Sequence, residues 1–228
     1  MGRVDIGEAL TTSFNVFLKN IGVMVLGGLI LVVTSFCAIL MPPLMVGLYI
    51  MCLKALRGQD VQVGDVFEGF SHLGPAYLVA VVPAVIAVLL YFIAALPLAG
   101  AMGLARGEGG EAAAGALVGT VVVLMMVVTI AVLLLAPIFG LAFPAVADGM
   151  GGVEALTFSY QRGLANWPAL FVLSICIAVA QGIVGIVGSV TAGLPSILAL
   201  PWSGVLIATA YLQVTGEAPA AGGAGGEG

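Results

Sequence analysis

Side chains able to do acid–base, nucleophilic or metal chemistry are few in this chain, and they do not cluster. His72 is its single histidine. A lone histidine near the end of an amphipathic stretch reads as an interfacial polar residue rather than a proton relay or metal ligand, both of which need partners at short range. The three cysteines, Cys37, Cys52 and Cys176, fall inside apolar runs with no close spacing. That pattern is neither a zinc site nor a disulfide framework, and it leaves them as small apolar fillers between helices. No catalytic residue, cofactor or metal site is expected, and the chain reads as a non-enzyme.

The carboxylates have a local explanation. Asp5-x-x-Glu8 and Asp65-x-x-Glu68 carry the spacing of a capping box, in which side chains satisfy the first free amides of a helix. Glu154 stands third after Gly151, the equivalent position, so all five residues are assigned to helix capping. Asp148 is the acidic residue nearest to an apolar run and reads as an end-of-helix residue at the interface. Gln181 lies well inside an apolar segment, AVAQGIVGIVG, where an unpaired amide is costly. Its expected role is a hydrogen bond to another helix. Small residues surround it at helical spacing, with Ser174, Ala178 and Gly182 on one row and Gly185 and Ser189 on another. Small side chains let helices approach closely, so this set reads as helix packing, within or between subunits.

These residues must be held by elements made for an apolar solvent. The chain is 62% hydrophobic and 7% charged, with a mean hydropathy of +1.25, whereas soluble domains carry roughly 25% charge. Residues 20–53, 69–105, 112–147 and 163–216 contain no Asp, Glu, Lys or Arg. A helix crosses a bilayer core in about 20 residues. Six crossings are expected, at about Ile21–Met41 (ended by the pair Pro42-Pro43), Leu44–Leu56, Pro75–Leu104, Ala113–Ala142, Pro168–Val190 and Ser196–Leu212. Pro83 and Pro97 predict kinks or a break in the third, and Lys54 is expected to snorkel from the short second. Amphipathic helices are expected at Val4–Asn20, Val63–Leu73 and Val153–Trp167, of a kind that lies in the headgroup layer. The start, MGRVDIGEAL, shows neither a cleavable signal nor a myristoylation motif. The Gly/Ala-rich stretch 216–228 reads as a disordered tail.

In this scheme Arg3, Lys19, Lys54, Arg57 and Arg162 share one side and Arg106 lies on the other. The positive-inside rule puts the first side, with both termini, in the cytoplasm. No basic stripe suits nucleic acid.

The chain also repeats itself. EALTTSFNVFLKN (Glu8–Asn20) matches EALTFSYQRGLAN (Glu154–Asn166) with seven identities in thirteen positions, and GDVFEGFSHLGP is a looser, shorter version. Each unit opens a hairpin whose second helix carries Pro then Gly: Pro43 and Gly47, Pro137 and Gly140, Pro201 and Gly204. The expectation is an all-α transmembrane bundle in one domain (1–215), built as three pseudo-repeats, approximately 4–58, 63–147 and 151–214, about an axis along the membrane normal.

The segments PPLMVGLYIMCLKALRGQDVQVGDVFEGF and FPAVADGMGGVEALTFSYQRGLANWPALF resemble a prokaryotic family of six-helix membrane proteins. It includes the YciC-like proteins and the membrane domain attached to some glycerophosphodiester phosphodiesterases. The resemblance runs from about Ile6 to Thr215. It implies an integral protein of the cytoplasmic (inner) membrane, without the phosphodiesterase's catalytic part, whose histidines and carboxylates have no counterpart here. Two functions remain. One is a structural or accessory role through association with lipids, another membrane protein or further copies of the chain. The other is a transporter or channel for a lipid or other apolar molecule, since ion coupling would need charge at membrane depth.

Overall fold

The computed structural model describes residues 3–34, 36–104, 110–190 and 195–220 (for 97–104, 110–114, 188–190 and 196, the backbone only). The expected loop Arg106–Ala112, with the Arg106 used for orientation, lies largely outside the described residues, as does most of the tail. The described residues are 85% helical, with no strand among them. Among the described residues four helices are long and apolar enough to cross a membrane, or five if one bent pair counts as a single span.

The helices are α1 (Ile6–Lys19), α2 (Ile21–Thr34), α3 (Met41–Leu56), α4 (Asp65–Glu68), α5 (Leu73–Leu104), α6 (Gly110–Phe139), α7 (Ala142–Ala147), α8 (Gly152–Ala165), α9 (Trp167–Val190) and α10 (Ser196–Thr215), with a 3-10 turn at Gly69–His72 between α4 and α5. Three boundaries differ from the sequence expectation. The first apolar helix stops at Thr34 instead of Met41, and Pro42 and Pro43 open α3 rather than closing the helix before it. Proline is tolerated in a first turn because the amide it lacks has no partner there anyway. The third expected crossing runs through Pro83 as one helix, without a break. The fourth breaks at Gly140–Leu141 into α6 and α7.

Contacts divide the chain into two compact units, 1–80 with 137–228, and 81–136. The second unit is a helical hairpin from the later part of α5 and the earlier part of α6. Ala94 and Val121 are buried in it, while Val88, Phe92, Ile93, Val122 and Met126 are exposed, and Tyr91 and Thr129 share a hydroxyl hydrogen bond of 3.2 Å. Apolar side chains on every face are compatible with lipid as the solvent.

In the first unit α3, α7 and α10 pack on one another. Leu44, Leu48 and Met51 of α3, Ala145 of α7, and Leu206 and Tyr211 of α10 are essentially inaccessible. The most apolar stretch of α10 is 67% buried, against 11% for that of α9, so α10 belongs to the centre and α9 to the rim. Each central helix is covered by an amphipathic one. α4 and the 3-10 turn lie on α3, α8 lies on α7, and α1 lies on α10.

Glycine decides how near these covers come. A Cβ at Gly47 would sit 1.7 Å from the Val66 carbonyl oxygen, and one at Gly69 would sit 1.9 Å from that of Pro43. The two backbones are therefore in direct contact. Gly163 of α8 meets the Pro137 and Ile138 backbone in the same manner, with Pro137 O at 2.6 Å. Ser159, one turn earlier, bridges the break between α6 and α7. Its hydroxyl donates to the Ile138 carbonyl (2.7 Å) and accepts the Leu141 amide (3.2 Å), replacing ladder bonds lost at the break.

α1 and α8 show the same geometry. Each has 14 residues and ends on an asparagine, Asn20 (φ −110°, ψ 20°) and Asn166 (φ −112°, ψ 19°), whose side-chain amide donates to the carbonyl four residues back. The next helix begins one residue later, and at Asn20 the axis turns by 92°. Ala9 and Ser13 are buried, as are Ala155 and Ser159; Phe14 is 53% exposed and Tyr160 54%, Leu18 47% and Leu164 46%.

Gly47→Ala or Gly69→Ala should each destabilise the detergent-solubilised protein by about 3 kcal/mol, because the obstructing atoms are backbone and cannot turn aside. Gly182→Ala, where a Cβ meets nothing within 4 Å, should stay within about 0.5 kcal/mol. Thermal unfolding of the three variants checks both.

Candidate functional site

The polar side chains of the first unit gather where α3, α7 and α10 end. Each of these helices is followed by a glycine with positive φ: Gly58 (68°), Gly149 (97°) and Gly216 (87°). The left-handed conformation stops the helix and is open to glycine at little cost. Helix C-termini carry partial negative charge, and Asp148 and Glu217 add two carboxylates to it. Arg57, which caps α3, answers both. Its guanidinium donates to Asp148 Oδ1 (2.7 Å) and to Glu217 Oε2 (2.8 and 3.1 Å). Tyr211 donates its hydroxyl to the other Asp148 oxygen (2.9 Å). One cation thus clasps the ends of all three central helices.

The Asp148 hydrogen bond holds the Arg57 guanidinium above its ordinary range, outweighing the loss of hydration, and the Glu217 bond adds to it. A base whose pKa is raised by folding stabilises the fold below its unfolded value and loses that only above it, so Arg57 stays charged throughout ordinary pH. Glu217 draws the chain after α10 onto this end: Pro219 is buried, and Ala220 lies near Gly58. The chain is therefore docked through Ala220; residues 221–228 lie outside the described ones.

One turn before Arg57, Lys54 Nζ bonds Asp65 Oδ1 and Glu68 Oε1, both at 2.9 Å. Lys54 is thus ion-paired rather than snorkelling alone. Asp65 also accepts the Gln62 amide (2.9 Å), while Gly64, the N-cap of α4, has no side-chain cap bond. This acidic pair mainly fastens α4 to α3. Asp5 is the N-cap of α1 and accepts the Glu8 amide (2.9 Å). The return bond of a capping box comes from elsewhere: Gln213 Oε1 accepts the Asp5 amide (3.1 Å), and its Nε2 donates to Glu8 (3.2 Å). Glu154 is exposed in the first turn of α8, where negative charge is favourable.

The residues around Gln181 are not gathered by this fold. Gln181 is half-buried on α9, and its amide has no hydrogen-bond partner among the described residues. Ser174 donates to the Leu170 carbonyl of its own helix (2.9 Å). Ala178, Gly182 and Gly185 are exposed, and a Cβ at either glycine meets nothing within 4 Å, so neither serves close packing inside this chain. The Ser189 side chain lies outside the described residues. His72 closes the 3-10 turn beside the Ser71 hydroxyl (2.8 Å). Cys37 is exposed, Cys52 buried and Cys176 half-buried, all as free thiols. Among the described residues no three His, Cys, Asp or Glu side chains are grouped to hold a metal ion. Comparison with protein-family models, curated proteins and solved structures gave no match.

Arg57→Met should cost about 2 kcal/mol, since it strands Asp148, itself 24% exposed, without its cation. Glu217→Gln, at the 51% exposed partner, should cost under about 1 kcal/mol. Adding Asp148→Asn to Arg57→Met should recover part of the loss; a fully additive double variant in thermal unfolding would show that the clasp does not couple these residues.

Proposed function

We propose that this chain is an integral protein of the cytoplasmic membrane with a structural or accessory role, acting through lipid or membrane-protein association and without catalysis. The observation that carries this reading is the filled centre. Leu44, Leu48, Met51, Leu206 and Tyr211 occupy the space between the central helices, where a carrier would need a route. The polar residues at the helix ends are engaged in joining helices, as the bonds of Arg57, Lys54 and Gln213 describe.

Six crossings in three repeats, with both termini cytoplasmic, is the arrangement this reading uses. Three features support the repeat: equal lengths and asparagine C-caps for α1 and α8, a glycine of positive φ after each central helix, and an amphipathic cover on each. The resemblance to the YciC-like family fits the same arrangement. Partners are membrane lipids and another membrane protein or a second copy of the chain. Transport of a lipid or other apolar molecule is the second reading, favoured by the broken helix at Gly140 and by apolar grooves that open sideways between α1, α9 and α10.

Reconstituted into vesicles, the protein should leave lipid scrambling at the rate of protein-free vesicles, and crosslinking in native membranes should trap it with a neighbour. Accelerated scrambling would favour the carrier, and a lone monomer after crosslinking would remove the accessory role. A reporter fused after Gly109 should report the non-cytoplasmic side, and a cytoplasmic signal there would overturn the orientation.

A further inference from the structure

α1 runs antiparallel along α10, with Gln213 at its Asp5 end and Trp202 beside Phe14 and Phe17. Two grooves open along this seam, on either side of the half-exposed Phe14 ring. One, of roughly 370 Å³, is lined by Leu10, Thr11, Phe14, Asn15 and Trp202. The other, of roughly 320 Å³, is almost wholly apolar and passes over Phe17 towards Leu198 and Val184. Each is at the lower end of the size range of small-molecule sites. Trp202 lines both, and its Nε1 is buried without a hydrogen-bond partner among the described residues.

The outer stripe of α1 supplies the polar half of a binding site. Thr11, Asn15 and Lys19 follow one another at four-residue spacing and are exposed, so they share one edge of the helix. Lys19 has no carboxylate partner among the described residues, unlike Lys54 and Arg57. The nearest acid on this stripe, Glu8, lies at the other end of the helix and is held by Gln213. α8 lacks this arrangement: its Arg162 lies over the Phe158 ring, 5.9 Å from its centre, at the position where α1 has the buried Val16.

We propose that the α1–α10 seam is a binding site for one phospholipid with an anionic headgroup. The headgroup lies against Asn15 and Lys19, and the acyl chains lie in the grooves flanking Phe14. This rests on the membrane function proposed above and names a ligand for it. A phospholipid fits because a free cation, one helical turn beyond the groove-lining Asn15, together with two mainly apolar grooves matches an anion joined to two hydrocarbon chains. An unattached anion would leave the grooves unused, and an apolar molecule would leave Lys19 unused.

Native mass spectrometry of the full chain with phosphatidylglycerol or phosphatidylcholine of the same acyl chains tests the site. The expected result is tighter binding of phosphatidylglycerol by about fivefold, the scale of one basic residue at a membrane surface. Lys19→Gln should abolish that preference. Arg3→Gln, removing the exposed cation near the other end of α1, should keep it. Leu198→Trp, which fills the groove from a half-exposed position, should lower binding of both lipids. The site is overturned if the wild type shows no preference, if Lys19→Gln and Arg3→Gln act alike, or if Leu198→Trp leaves binding unchanged. An alkaline wash of native membranes separates the two levels. Loss of the site with the protein still in the membrane removes only the site, whereas release of the protein removes the membrane reading and the site together.

Discussion

The contact between Gly47 and Gly69 joins two backbones with no side chain between them, and the place of α3 at the centre follows from it. Where the surroundings are as apolar as leucine, burying leucine drives helices together only weakly, and close packing has to do more of the work. Small residues at the crossing let many atoms touch at once. In this chain the same device appears where Gly163 meets Pro137 and where a Cβ at Gly28 would meet the Ile197 carbonyl at 2.4 Å. Each of these crossings locates a cover or neighbour against a helix of the first unit, and the filled centre is what those placements leave room for.

Polar groups complete what the glycines begin. Three central helices ending side by side bring three negative dipole ends together, and Asp148 and Glu217 make that end more negative still. A single guanidinium with several donors in a fixed fork can serve two carboxylates at once, which an ammonium does less well. Lys54 serves Asp65 and Glu68 one turn away, where its reach matters more than its geometry. Gln213 offers both an acceptor and a donor and so joins an amide and a carboxylate of α1. The polar residues of this end therefore act as joints, each matched to the chemistry of what it joins.

Much of this was legible in the sequence. The last two apolar helices begin where Pro168 and Ser196 suggested, since charge-free runs and proline mark such boundaries well. α1 and α8 share the pattern Glu-Ala-Leu-Thr-x-Ser, and both bury its alanine and serine and end on an asparagine. What sequence alone missed depends on distance through space. Arg57 and Glu217 are far apart in the chain, and nothing local in either announces the other. The Pro42-Pro43 pair was misread because proline can close one helix or open another, and only the turn before it decides. The glycines after Lys54-Ala-Leu-Arg, Ala-Val-Ala-Asp and Gln-Val-Thr were a usable signal, since each follows an apolar helix that needs a stop.

The covering of α10 by α1 sets an order on synthesis. α4 and α8 each settle on a helix made shortly before them, so their docking can proceed as the chain emerges. α1 is made before both, yet the surface it covers belongs to α10, and the bonds from Gln213 to Asp5 and Glu8 span 208 and 205 residues. Until α10 arrives, the inner face of α1, with Ala9, Ser13 and Val16, lacks its main native neighbour. Closing so long a loop is slow compared with local docking. α1 thus waits for a helix made long after it, and the nascent protein carries an open seam until α10 is complete.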